Sequence, residues 1–287
     1  MSSHFGDSPS RRVETMTPDR GGTGVPDEGA APRRGGGFLR AAGDAARQWF
    51  VLVLLGSLLL GWCGTAFVIS PFLSSARRRQ VGRRAMRRMF DLYLRLLDRA
   101  GLVHVDHGAL DTLRGDERLI LAPNHPSLMD VILVIARLDN VGCIMKADLW
   151  NNPFLGAGAR MAGFIRNDSP RCMIRLAIED LARGSHLLIF PEATRTVRDP
   201  VNPLTGGFAL IAKRSGAPVQ TILIETDSPY LRKGWPLFRR PSFPIRFRLR
   251  LGRRFEPDDD VDGLVAAVEQ HYRDELGGES RGAPGRR

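Results

Sequence analysis

Residues 169–196 read SPRCMIRLAIEDLARGSHLLIFPEATRT, and this stretch decides the architecture. Ser169 can cap a helix, and Pro170 suits the first turn, where its missing N–H would be unpaired anyway. Ile174, Ile178 and Leu181 repeat on one face, and Gly184 closes the helix. The short apolar run His186 to Phe190 follows at once and reads as a strand. A helix feeding directly into a strand is part of a βαβ unit, so the expected fold is α/β, a mixed sheet flanked by helices.

Working outward, further strands are expected at Leu119 to Ala122, Gly142 to Lys146, Val219 to Glu225 and Ile245 to Leu251. The last alternates Ile245, Phe247, Leu249 and Leu251 with Arg246, Arg248 and Arg250, so one face is buried and the other wet and basic. A final helix from about Val261 to Leu276 covers the fold. The catalytic domain is thus expected over residues 102–276. Residues 1–37 and 277–287, rich in Gly, Pro, Ser and Arg without apolar period, read as disordered tails.

Between the first tail and this domain the chain changes character. Gln48 to Ala76 carries no charged residue, and its core, Trp49 to Ile69, is long enough to cross a bilayer at about 20 residues per crossing. Gly56, Gly61, Gly64 and Pro71 interrupt it, so residues 38–76 are expected as a membrane-embedded helix or a helical hairpin, with Trp49 and Trp62 at interfaces. Arg77, Arg78, Arg79, Arg83, Arg84, Arg87 and Arg88 follow. Met86, Phe90, Tyr93 and Leu97 recur among and beyond them at helical spacing, which predicts a basic amphipathic helix over 77–101 lying on an anionic leaflet. The arginines place the domain on the cytoplasmic face of the cell membrane, although Arg33, Arg34, Arg40 and Arg47 weaken that signal.

A net charge of +11 suits an anionic membrane, a phosphorylated substrate or nucleic acid. Cys63, Cys143 and Cys172 are odd in number and far apart, which argues against a disulfide framework or a zinc site.

Chemistry is expected where strands end. The segment Ala122-Pro123-Asn124-His125-Pro126-Ser127-Leu128-Met129-Asp130 follows a strand, the place where open α/β sheets bind ligands. On a regular helix His125 and Asp130 would lie about 140° apart. They meet only if Pro126 and Ser127 turn the chain first. Asp130 can then accept a hydrogen bond from one ring nitrogen and leave the other to take a proton from a hydroxyl. Beyond the strand at 186, Phe190-Pro191-Glu192-Ala193-Thr194-Arg195-Thr196 offers an arginine for a phosphate, as does Gly163-Phe164-Ile165-Arg166-Asn167-Asp168. Ala217-Pro218-Val219 opens the next strand. Each has a bland reading too: Arg195 paired with Glu192, Arg166 solvated, Pro218 simply starting a strand.

In order and together, these four segments resemble the block pattern of the lysophosphatidate acyltransferase family of glycerolipid acyltransferases, N-H-x-x-x-x-D, then G-x-I-x-R, then F-P-E-G-T-R-S, then a proline-led apolar strand. The resemblance covers about residues 80 to 255. It implies acyl transfer from an acyl-coenzyme A or acyl carrier protein thioester to a hydroxyl of a membrane lysophospholipid, most directly lysophosphatidate, with no cofactor, no metal and no nucleic-acid partner. Carried over by position, His125 is the base and Asp130 its orienter, while Arg166, Glu192, Thr194 and Arg195 bind the acceptor. Ala193 stands where the family has Gly, and Asn167-Asp168 departs from the usual second block; both bear on the acceptor more than on the reaction. Three alternatives stay open: another amphipathic acceptor, a hydrolase or transacylase with Ser127 as nucleophile, and a non-catalytic membrane-binding protein. The apolar residues Leu149, Trp150, Phe154, Leu155 and Met161 are candidate walls for an acyl chain.

Overall fold

The computed structural model describes residues 35–152 and 156–277. Of the expected tails, residues 1–34 and 278–287 lie outside these, as do Phe154 and Leu155. Among the described residues seven strands form one sheet: β1 (Val103–Asp106), β2 (Ile120–Pro123), β3 (Val141–Met145), β4 (Ile165–Arg166), β5 (His186–Leu188), β6 (Val219–Thr226) and β7 (Ile245–Phe255). Their order is β1-β7-β6-β2-β5-β3-β4. The five strands β6, β2, β5, β3 and β4 run parallel, while β7 is antiparallel to β6 and β1 parallel to β7. The expected mixed sheet is therefore present. The C-terminal ends of β2, β4 and β5, which carry the first three motifs, lie on one edge, while Pro218 stands at the start of β6 on the opposite edge.

Helices cover both faces. Leu121, Leu188 and Ile222 point into a core shared with α1 (Gly35–Ile69), α2 (Ser75–Arg99), α3 (Asp130–Ile135) and α5 (Gly156–Ala162). Ile120, Ala122 and Leu187 point the other way, toward α6 (Pro170–Ala182), α7 (Gly207–Ser215) and α8 (Val261–Gly277). This is the two-sided burial that makes central parallel strands continuously apolar. Each fully buried Leu or Ile side chain contributes about 1.5–3 kcal/mol. The helix over 170–182 forms as expected, but the Ser169 side chain makes no capping bond; its carbonyl instead accepts from Met173 N–H at 2.8 Å.

Of the two forms expected for the amino-terminal apolar segment, the helix is present and the hairpin is not. It is one continuous α1, because an exposed glycine costs a helix only about 1 kcal/mol and Pro71 falls beyond its end, in a 3₁₀ turn at Ser70–Phe72. The chain returns through α2 instead. Nor does α2 lay its apolar face on a leaflet: Met86, Met89, Phe90, Tyr93, Leu94 and Leu97 are buried in the domain core, and Gly82 lets α2 approach α5, where a Cβ would sit 2.5 Å from Ala162 N.

Along α1 the two sides are both apolar but differ in what they meet. Gln48, Val51, Cys63 and Ala66 are buried against the domain, and Trp62, expected at an interface, is half-buried there with them. Trp49, Phe50, Val53, Leu60, Phe67 and Val68 form the outward stripe. The stretch Gly43–Phe72 is apolar and long enough to cross a bilayer.

Candidate active site

The turn after β2 does what the spacing demands. Asp130 opens α3, and Pro126 and Ser127 fold the loop so that His125 Nδ1 and Asp130 Oδ2 stand 2.8 Å apart. The same carboxylate oxygen accepts Ser127 N–H at 2.8 Å. Asp130 is wholly buried, whereas the His125 side chain keeps 12% of its surface exposed. Nδ1 is thereby occupied, and among the described residues Nε2 has no partner, the state required to take a proton. Burial pushes the Asp130 carboxyl up to about 6 even though the hydrogen bond and charge of His125 pull it down.

Other groups hold this pair in place. Asn124 locks the loop to β6, donating to Ile224 O at 3.0 Å and accepting Ile224 N–H at 2.7 Å. Phe190 stacks on the imidazole with centroids 3.8 Å apart and planes 21° from parallel. Asn202 folds the second loop by accepting Val197 and Arg198 N–H and donating to Arg195 O. Sequence reasoning assigned nothing to Asn124, Phe190 or Asn202. Asn124 and Phe190 lie inside the quoted motifs and were available; Asn202 lies outside them and gave no signal.

Glu192 was expected to bind the acceptor, and the structure uses it otherwise. Its buried carboxylate accepts His125 N–H at 2.9 Å, Thr196 Oγ1–H at 2.8 Å and Asn202 N–H at 2.8 Å, so it ties the two motif loops together. Thr196 N–H adds a second tie to His125 O at 2.7 Å. Thr194 is half-buried, following Ala193, which takes a left-handed φ of 54°. Arg195 is half-buried, and its Nη1 donates to Leu231 O and Arg232 O at 2.8 and 3.1 Å. Arg166 ends β4 and pairs with Asp168 at 2.6 Å, near the surface. Two strands separate β4 from β2, which at about 4.8 Å per strand puts Arg166 roughly 14 Å along the edge from the His125 loop. Arg195 and His125 are thus brought together, and Arg166 belongs to a more distant part of the same edge. Trp150 and Met161 pack against the domain, while Leu149 is largely exposed.

Ser127 is no nucleophile. Its hydroxyl is buried, donates to Tyr230 O at 3.0 Å and accepts Met129 N–H, so it has no bond to the imidazole that would have to activate it. Beside the loop lies an open groove of about 830 Å³, lined in part by Asn124, Pro126, Thr196, Arg232, Arg246 and Arg248. The arrangement is an imidazole held by a buried carboxylate, an arginine near it and an open groove alongside.

Comparison with known proteins agrees with this chemistry. The acyltransferase family model matches residues 104–225, from β1 to the end of β6. The 1-acyl-sn-glycerol-3-phosphate acyltransferase of Limnanthes douglasii is 29% identical over 197 residues, 64% of this chain and 69% of the relative. That of Pseudomonas aeruginosa is 23% identical over 241 residues, covering 79% and 87%. The lyso-ornithine lipid O-acyltransferase of the same organism is 33% identical over 127 residues, covering 43% and 47%. The crystal structure of PlsC, the 1-acyl-sn-glycerophosphate acyltransferase from Thermotoga maritima, shares the fold with a TM-score of 0.58 at 20% identity, over 87% of this chain and 99% of that one. With the ordered motifs, the fold and these relatives in agreement, the chain is an acyltransferase similar to the 1-acyl-sn-glycerol-3-phosphate acyltransferases.

Proposed function

We propose that the protein transfers a fatty acyl group from an acyl-coenzyme A or acyl carrier protein thioester to the free hydroxyl of lysophosphatidate, giving phosphatidate for phospholipid biosynthesis at the cytoplasmic face of the cell membrane. The observation that carries this is the His125–Asp130 pair, whose Nδ1 is held by a buried carboxylate while Nε2 stays free. Nε2 takes the hydroxyl proton as the oxygen attacks the thioester carbonyl. The tetrahedral intermediate collapses, the C–S bond breaks, and the proton passes from the imidazolium to the departing thiolate. No acyl-enzyme and no cofactor are needed. Proton transfer of this kind supplies about 100- to 10,000-fold, and positioning supplies the rest. Arg195, with Thr194 beside it, binds the acceptor phosphate; Arg166, farther along the edge, attracts the anionic part of either substrate.

The test is thioester consumption by the membrane-bound protein with lysophosphatidate, other lysolipids and non-phosphorylated alcohols, with His125→Ala as control. Product with lysophosphatidate, reduced at least about 100-fold in the variant, is the expected result. Substantial activity in His125→Ala would end the base assignment. A second acceptor, lyso-ornithine lipid, has one observation in its favour: the relative that uses it is 33% identical over 127 residues. Turnover of that lipid without turnover of lysophosphatidate would keep the mechanism and move the substrate.

A further inference from the structure

The segment 228–240 leaves β6 on the active edge of the sheet and touches two things at once. On one side its backbone holds the catalytic loops. Tyr230 O accepts the Ser127 hydroxyl at 3.0 Å, Leu231 O accepts Leu128 N–H at 3.1 Å, and Leu231 O and Arg232 O share the Arg195 guanidinium. Leu231 adopts a left-handed φ of 58°, a conformation a leucine keeps only where its surroundings hold it.

On the other side the same segment holds α1. Gln48 Nε2 donates to Leu237 O at 3.0 Å and to the Tyr230 hydroxyl at 3.4 Å. Trp49 lies 5.4 Å from Phe238, ring centroid to centroid, and Trp235 sits edge-on to Tyr230. Beyond these contacts Leu237 and Phe238 are 47% and 66% exposed, next to the equally exposed Trp49 and Phe50 at the head of the outward stripe of α1. Exposed aromatic and leucine side chains gathered in one patch are costly in water. Arg232, Lys233 and Arg239 stand among them in sequence, the mixture that suits an anionic bilayer surface.

We infer that Leu237 and Phe238 enter the bilayer together with α1, and that this insertion sets the catalytic loops through the carbonyls of residues 230–232. The occupant of the patch is the lipid surface itself. Tyr230 and Leu231 are positioning residues: they touch no reacting atom and act through Ser127, Leu128 and Arg195. α1 then does more than hold the protein at the membrane, since Gln48, inside its amino-terminal half, buttresses the segment that shapes the site. The inference rests on the acyl-transfer reading of the His125 loop.

The experiment pairs wild type with a Leu237→Ser, Phe238→Ser variant, both side chains being exposed, and with Phe238→Trp. The first readout is hydrogen exchange of the peptide containing Leu128, with and without phosphatidylglycerol vesicles. Protection should rise on adding vesicles to the wild type and to Phe238→Trp, and should stay unchanged in the double serine variant. The second is turnover. The double variant should lose about 10-fold in kcat on vesicle-borne acceptor, keep its donor KM, keep floating with vesicles through α1, and match the wild type on a short-chain acceptor in free solution. Three results overturn the proposal: unchanged protection in the wild type, loss of flotation in step with kcat, or an equal loss on the soluble acceptor. If the wild type consumes no thioester at all, the reaction reading fails, and hydrogen exchange still decides the coupling.

Discussion

The sheet carries a buried knot of charged and polar groups at each edge, and the two differ in one respect. At the edge where β3 and β5 begin, Arg83 reaches from α2 to Asp180 at 2.7 Å, Ser185 at 2.6 Å, Asn140 at 2.9 Å and Ala162 O at 3.0 Å. The side chains of the Arg83–Asp180 pair are 3% and 5% exposed, and Gly142 admits Asp180 at a distance no Cβ would allow. At the opposite edge Asp130, Glu192 and His125 are tied as densely. There, however, Asp130 Oδ1 is buried without a partner among the described residues, and His125 Nε2 is free. A saturated knot can only hold the structure, because each guanidinium nitrogen and each carboxylate oxygen in it already has a partner. An unsaturated one retains a group that can exchange a proton.

Asp130→Asn should widen that difference most. The amide can donate to Nδ1, which leaves the proton on Nε2, the wrong tautomer for a base, and turnover should fall by about 100- to 10,000-fold. The pH profile supplies the sign. Asp130 must be ionised to accept Nδ1–H, and burial raises its carboxyl to about 6, so wild-type activity should be present above about 6 and lost as pH falls through that value. The limb belongs to the coupled pair. A kcat/KM profile flat from pH 5 to 8, measured for the free enzyme, would break the argument.

How far each knot was legible follows from the distances along the chain. His125 and Asp130 are five residues apart with a proline turn between them, and such a spacing can be worked out from helix geometry. The helix over 170–182 and the strand after it were legible for the same reason. Glu192 was not, because its partners are the backbone N–H groups of His125 and Asn202 and the hydroxyl of Thr196, and backbone donors leave no mark in a sequence. Arg83 looked like one more arginine in a basic run, since Asp180 is 97 positions away. The burial of α2 was misread because an apolar stripe satisfies a core and a leaflet equally well. β4, with two residues, is too short to show a period.

Glu192→Gln tests whether a knot member that touches no substrate still matters. One end of the amide would bring a donor to a donor, costing about 1–3 kcal/mol of stability. Because Glu192 sets the His125 backbone, kcat should also drop, by about 10- to 100-fold. Arg83→Met should do the reverse: a loss of about 3–5 kcal/mol in unfolding measurements, since Asp180 is left buried and unpaired, with kcat unchanged below the melting range. Adding Asp180→Leu should recover much of that loss. A fall in kcat on the scale of Glu192→Gln would mean that the two edges are coupled and that saturation is the wrong distinction.

The smallest effect is expected at Ala193, and it bears on the acceptor more than on either knot. A left-handed φ of 54° costs a residue with a Cβ about 1–2 kcal/mol, and glycine would remove that strain at an entropic cost of about 0.5–1 kcal/mol. Ala193→Gly should therefore raise the melting temperature slightly and leave turnover within a fewfold of wild type. Its kcat/KM ratio for lysophosphatidate over lyso-ornithine lipid is the sharper readout. The methyl group sits two residues before Arg195 on an exposed turn, so it shapes the approach to the guanidinium proposed to bind phosphate and not the His125–Asp130 pair. A shifted ratio at constant kcat would make Ala193 a specificity element. An unchanged ratio would mean that the strain is tolerated only because the Glu192 ties on either side hold the turn, and that acceptor choice lies with Arg195 and the groove.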